Sequence, residues 1–185
     1  MPKLWDDTID AHRRAVREAV LDAAAALVAA HGLHGLTMSR VAEAAGIGRA
    51  TLYKYFPDVG SILRAWHERH VEAHLAALAA LAAGPGDVGE RLTAVLTAYA
   101  GIEGARRDGD ELHAGAHARG ARERLRAFLR DLLAEGAAAG RVRTDVPPEE
   151  LSAYCLHALS AAGELAPEAA GRLVAVVAAG LGVTH

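Results

Sequence analysis

Alanine and leucine dominate this chain, β-branched runs are nearly absent, and glycine and proline punctuate what remains. That pattern favours helices broken by turns and gives strands almost no support. At 185 residues with 52% hydrophobic side chains, the chain has enough apolar material for a sizeable core. The first helix is predicted from Asp10 to His31, with Val16, Val20 and Leu27 on its apolar stripe. Arg13, Arg14, Arg17 and Glu18 stay on its wet side, and Gly32 and Gly35 end it. Two short helices follow, Thr37–Ala45 with Thr37 as N-cap and Gly48–Phe56 stopped by Pro57. Asp58 then caps a long helix to Ala83, which would span ~39 Å at the usual rise. Gly84-Pro85-Gly86-Asp87 breaks the chain before a helix over Val88–Ala105. The glycine-studded stretch Arg106–Gly120 stays unassigned. Helices over Arg122–Ala139, Pro148–Gly163 and Pro167–Leu181 complete an all-α chain.

The net charge of -3 argues against a generally basic nucleic-acid coat, but not against a local one. Residues 1–56 hold seven Lys/Arg against six Asp/Glu, leaving 13 against 17 in the remainder. The single cysteine, Cys155, excludes an intramolecular disulfide and a paired-cysteine zinc framework. Met1 to Asp7 lack the apolar run of a signal peptide, and Leu75–Ala83 and Leu173–Val183 fall short of the ~20 residues that span a bilayer. A soluble, cytoplasmic protein is expected. No Gly-rich phosphate loop, nucleophile elbow or metalloprotease pair is present, so no catalysis is expected.

The segment from Thr37 to Pro57 carries the most specific pattern. Two helices this close must cross steeply, and Ala42 supplies the small residue where their backbones approach. Gly46, four residues on, permits the positive φ that reverses the chain. Ile47 and Leu52 plug the angle, with Val41 beneath. This is a helix-turn-helix pattern. On the second helix Leu52 and Phe56 share the buried side, while Ala50, Thr51, Tyr53 and Lys54 face outward. That outer face suits DNA. Ala50 lets the backbone approach the groove floor, Thr51 can touch a base edge, and Tyr53 and Lys54 reach phosphates. Thr37, at a helix start, offers a further phosphate contact.

With these residues in view, Leu33 to Leu63 resembles the DNA-binding domain of the tetracycline-repressor-like (TetR) family. The matching strings are Gly35-Leu36-Thr37-Met38-Ser39-Arg40-Val41-Ala42, Ala45-Gly46-Ile47-Gly48 and Ala50-Thr51-Leu52-Tyr53-Lys54-Tyr55-Phe56-Pro57. The resemblance implies a DNA-binding domain over residues 1–57 and an effector-binding and dimerisation domain over 58–185. It further implies a homodimeric regulator, most often a repressor, released from operator DNA by a small-molecule effector. Thr37, Arg49, Ala50, Thr51, Tyr53, Lys54 and Tyr55 would face the DNA. One departure is visible: the basic residue that the family often carries just after Pro57 or Asp58 is missing from Asp58-Val59-Gly60.

The remaining side chains are weighed against simpler roles. His67, His70 and His74 are three and four apart, and His113 and His117 four apart, which is metal-chelating spacing on a regular helix. Polar lining or solvated surface explains them as well, so no metal or cofactor is assigned. Cys155, among Tyr154, Leu156 and Leu159, reads as an inert buried thiol. Trp66 and His70 share a face of the long helix, and Tyr99 and Glu103 a face of the next; with Phe128 they are the expected effector pocket. Leu151, Tyr154, Leu159, Val174, Val177 and Leu181 on the last two helices are the expected dimer interface. A ligand-independent DNA-binding regulator and a helical ligand- or metal-binding module are the alternatives.

Overall fold

The structure, a computed structural model, describes residues 3–105, 116–166 and 168–183, and the side chains of residues 9–105, 120–166 and 168–183. Eight α-helices, with no strand among the described residues, follow one another: α1 Lys3–His31, α2 Met38–Ala44, α3 Arg49–Tyr55, α4 Val59–Ala82, α5 Val88–Ala105, α6 Ala116–Ala138, α7 Pro148–Ser160 and α8 Ala169–Gly180. Short 3-10 turns follow α1, at Leu33–Gly35, and α7, at Ala161–Glu164. The all-helical expectation holds. Helix α1 begins earlier than predicted, because Asp10 is not a helix start in the structure. Pro167, the expected start of the last helix, and much of the stretch 106–120 lie outside the described residues, as does His113; His117 and Arg119 lie in α6, with side chains outside the description.

Two compact units divide the chain, Met1–His70 and Val71–His185. The division between these compact units lies within α4. The reason is packing: Ile62 and Ala65 are buried in the same cluster as Val20, Leu21, Val41, Leu52 and Phe56. The first turns of α4 belong to the N-terminal core.

In the N-terminal unit, α1 and α4 are also tied by charge. Arg69 on α4 donates to Glu18 and Asp22 on α1, each at 2.7 Å. Hydrogen bonding to Glu18 raises the guanidinium pKa against the opposing effect of burial, and Asp22 adds to the rise. Asp58 starts α4 as expected, its Oδ1 accepting from the Ser61 N–H at 2.6 Å.

In the C-terminal unit the core runs through α5, α6, α7 and α8. Leu92, Leu96, Leu129, Leu133, Leu159 and Leu181 are each fully buried there. Helix α5 opens with a capping box: Asp87 Oδ1 accepts from Gly89 and Glu90 N–H, and Glu90 Oε2 accepts from the Asp87 N–H. Arg141 completes the cap by donating to Asp87 Oδ2 at 2.7 Å. Gly136 on α6 lies where a Cβ would stand 2.6 Å from Val142 Cγ2, so the loop after α6 closes tightly onto it. Arg143 holds the far end of α8, its N–H donating to Leu181 O and its guanidinium to Gly180 O.

Five of the six expected dimer-interface residues belong to this core. Leu151, Leu159, Val174, Val177 and Leu181 are between 0% and 6% exposed within the single chain, so they hold α7 and α8 onto α5 and α6. Tyr154 alone of the six is exposed. Both helices carry apolar residues on inner and outer faces, and periodicity alone does not say which face is inner.

Candidate nucleic-acid interface

Thr37 sits in extended backbone before α2, and its hydroxyl oxygen accepts from the Arg40 N–H at 3.3 Å. This is the expected N-cap. Arg40 reaches back to donate to Gly35 O at 3.0 Å, fixing α2 against the turn before it. At the other end of α2, Gly46 has φ +67°. Its N–H donates to Glu43 O, and the Ile47 N–H donates to Ala42 O. Those two bonds satisfy carbonyls at the helix end as a Schellman motif does, and the motif needs a left-handed residue at the Gly46 position. Gly48 then leads into α3.

The turn is locked from beneath. Val41 and Leu52 are fully excluded from water, Ala42 and Phe56 nearly so, and Ile47 packs against them. The predicted plug is present. Outward, Arg49, Ala50, Tyr53 and Lys54 are exposed. Thr51 is half-buried, and Tyr55 is half-buried with its ring against the N-terminal core. Of the residues expected to face DNA, Tyr55 is thus also a packing residue. The outer face of α3 presents two cations, a phenol and a small residue that lets the backbone approach a surface.

Arg17 on α1 stands next to the end of α3, and no local pattern could have revealed it. Its guanidinium carbon lies 4.9 Å from the centroid of the Phe56 ring. Phe56 is the residue that ends α3. The contact joins positions far apart in sequence, so only the fold brings it about.

The expected effector residues divide between the two units. On α4, the Trp66 and His70 rings lie 4.8 Å apart and tilted by 49°. Trp66 Nε1 is buried and, among the described residues, has no hydrogen-bond acceptor. In the C-terminal unit Tyr99 is buried in the core, Phe128 packs against that core half-buried, and Glu103 is half-buried. Among the described residues no three His, Cys, Asp or Glu side chains gather in a way that could hold a metal ion. Burial raises the Cys155 thiol to about 12, so it stays protonated near neutrality. No helix among the described residues is long and apolar enough to cross a membrane.

Comparison with known proteins places this geometry. Residues 20–65 match the family model of bacterial regulatory proteins of the tetR family. Residues 90–183 match that of the SbtR-like transcriptional regulator C-terminal domain. No curated protein sequence matches significantly. Among solved structures, a TetR/AcrR-family transcriptional regulator from Thermobifida fusca is 25% identical with a TM-score of 0.77, over 89% of this chain and 97% of that one. The transcriptional regulator FadR from Bacillus subtilis, in complex with stearoyl-CoA, is 15% identical with a TM-score of 0.68, over 90% and 99%. RolR in complex with resorcinol is 22% identical with a TM-score of 0.65, over 94% and 90%.

Proposed function

Because the chain belongs to the tetR family of bacterial regulatory proteins, whose members are DNA-binding transcriptional regulators, we propose that it is a repressor acting as a homodimer. It binds a two-fold operator in the cytoplasm and leaves it when a small molecule binds. The observation that carries this reading is the outer face of α3, where Arg49, Ala50, Tyr53 and Lys54 stand exposed on a turn locked by Gly46 and Leu52. Arg49, Ala50 and Thr51, at the start of α3, read base edges. Tyr53 and Lys54 hold phosphates, and Thr37, whose oxygen is already an acceptor within its cap, donates its hydroxyl proton to another.

A recognition helix this short reads few bases, so useful specificity needs two copies. The second copy docks on the outer face of α7 and α8. Tyr154 and Val176 are exposed there, at 41% and 63%, beside the exposed Ala175 and Ala179. A single two-fold interface built on small and apolar residues covers that surface on both subunits.

The effector site is proposed in the C-terminal unit, at the edge of the core where Phe128 supplies an apolar wall and Glu103 a polar group beside the buried Tyr99. Trp66 and His70 are the α4 residues whose replacement tests the response. Structures of this fold hold ligands as different as stearoyl-CoA and resorcinol, so the fold by itself names no effector. Helix α4 is the transmitting element: it is continuous from Val59 to Ala82, and Arg69 ties it to α1. For release to occur, the effector must bind the DNA-free conformation more tightly than the bound one.

The test is selection of bound duplexes from random DNA, followed by a screen for small molecules that release them. A recovered two-fold sequence and a releasing compound support the reading. Failure to retain any duplex at low salt contradicts it. Retention that no compound alters favours a ligand-independent regulator.

A further inference from the structure

We propose that Arg17, on α1, is a phosphate-binding residue of the DNA interface, held ready for that role by stacking on Phe56. The inference rests on the DNA-binding reading of α3 given above. Arg17 is exposed, and its guanidinium lies over the Phe56 ring at 4.9 Å from carbon to centroid. Phe56 directly follows the last residue of α3, so this charge stands at the end of the recognition helix, beyond Lys54 and Tyr55.

Three features make the placement productive. A guanidinium held over an aromatic ring leaves the N–H donors at its edge able to meet a phosphate in a bidentate manner. The stack also fixes a long side chain that would otherwise lose freedom on binding. The carboxylates nearest in sequence are engaged elsewhere: Glu18 and Asp22 hold Arg69, and Asp10 faces Arg13 at 3.8 Å. Among the described residues, no acidic side chain forms a salt bridge with Arg17. Its charge is therefore available to a partner from outside.

The surface needs such a charge. After Lys54 the chain offers no Lys or Arg until Arg64, and Asp58 stands between them. A helix in the major groove is flanked by the phosphate backbone at both ends. Without Arg17, the α3 end followed by Asp58 would meet that backbone with no cation after Lys54. With it, α1 supplies from a distant part of the sequence what the segment after α3 lacks.

The experiment measures binding of the full chain to a random-sequence duplex of about 30 base pairs as a function of salt. Non-specific binding suffices because its salt slope counts phosphate contacts, at ~0.9 per contact. Arg17→Gln keeps an aliphatic stem over Phe56 but removes the charge. In a dimer it should flatten the slope by ~1.8, while Arg17→Lys keeps most of the slope. Lys54→Ala serves as the reference for a phosphate contact, and thermal melting of each variant reports on folding. A slope unchanged in Arg17→Gln, with Lys54→Ala flattened, overturns the inference and leaves the DNA reading standing. A lower melting temperature in Arg17→Gln with an unchanged slope does the same, and assigns Arg17 to packing alone. If the unaltered protein retains no duplex at low salt, the DNA reading fails and takes this inference with it.

Discussion

Two adjacent residues of α8 should give opposite outcomes when each is replaced by glutamate. Val177 is fully buried against the C-terminal core, whereas Val176 is 63% exposed. Val177→Glu forfeits the burial of one valine, about 1.5–3 kcal/mol. It also places a carboxylate where nothing pairs it, at a cost of several kcal/mol more. The combined loss is comparable with the whole stability of an ordinary domain, about 5–15 kcal/mol. Val177→Glu should therefore unfold the C-terminal unit or titrate to neutrality at a heavy loss of melting temperature. Val176→Glu should change the stability of one isolated chain by no more than about 0.5 kcal/mol, as exposed substitutions usually do. On a two-fold interface, however, the new charge occurs twice and loses water on both subunits. Folded monomers are the expected result. Sedimentation velocity with far-ultraviolet circular dichroism separates the two cases. A Val177→Glu protein with wild-type melting would refute the placement of α8. A Val176→Glu protein that stays dimeric would remove the outer face of α7 and α8 as the interface.

Gly46→Ala should cost about 1–2 kcal/mol, from the positive φ alone, because an added Cβ meets nothing within 4 Å there; denaturant unfolding followed through the N-terminal unit checks it, and an unchanged midpoint contradicts the turn geometry. The Asp87 carboxyl is held below its ordinary range, first by the Glu90 N–H, then by the Gly89 N–H and Arg141. Its folded pKa is depressed, so its contribution is fully present above the unfolded value and is lost as pH falls from about 5 toward 2. Asp87→Asn should make unfolding midpoints less dependent on pH across that window, and an unaltered dependence would contradict the cap. Cys155, protonated and buried, should react slowly with iodoacetamide in the native protein and fast in denaturant; equal rates would show that the core around it is open.

The helix-turn-helix was legible because its constraints are local. Thr37 caps the residues that follow it, Gly46 suits a left-handed turn, and Leu52 and Phe56 are four apart at one short helix. Helix α5 was legible to the residue, since Gly84-Pro85-Gly86-Asp87 marks its start unambiguously. What stayed hidden depends on partners remote in sequence. Nothing in the α1 sequence says that Arg17 meets Phe56 or that Glu18 and Asp22 meet Arg69. The split of α4 between two cores also has no local mark, because Ile62 and Leu78 look alike in sequence yet belong to different clusters. Which faces of α7 and α8 point inward stayed hidden for a related reason. Val176 and Val177 are chemically identical neighbours, and only the packing of α8 on α5 tells inner from outer.

The account stands or falls on a two-fold DNA complex, and cleavage footprinting on a duplex recovered by selection tests that most directly. Two protected half-sites related by two-fold symmetry are expected, their centres about 34 Å apart or a multiple of that. They should be lost together in Val176→Glu and weakened together in Lys54→Ala. A single asymmetric protected segment, or a duplex bound equally well by the Lys54→Ala protein, would contradict the account.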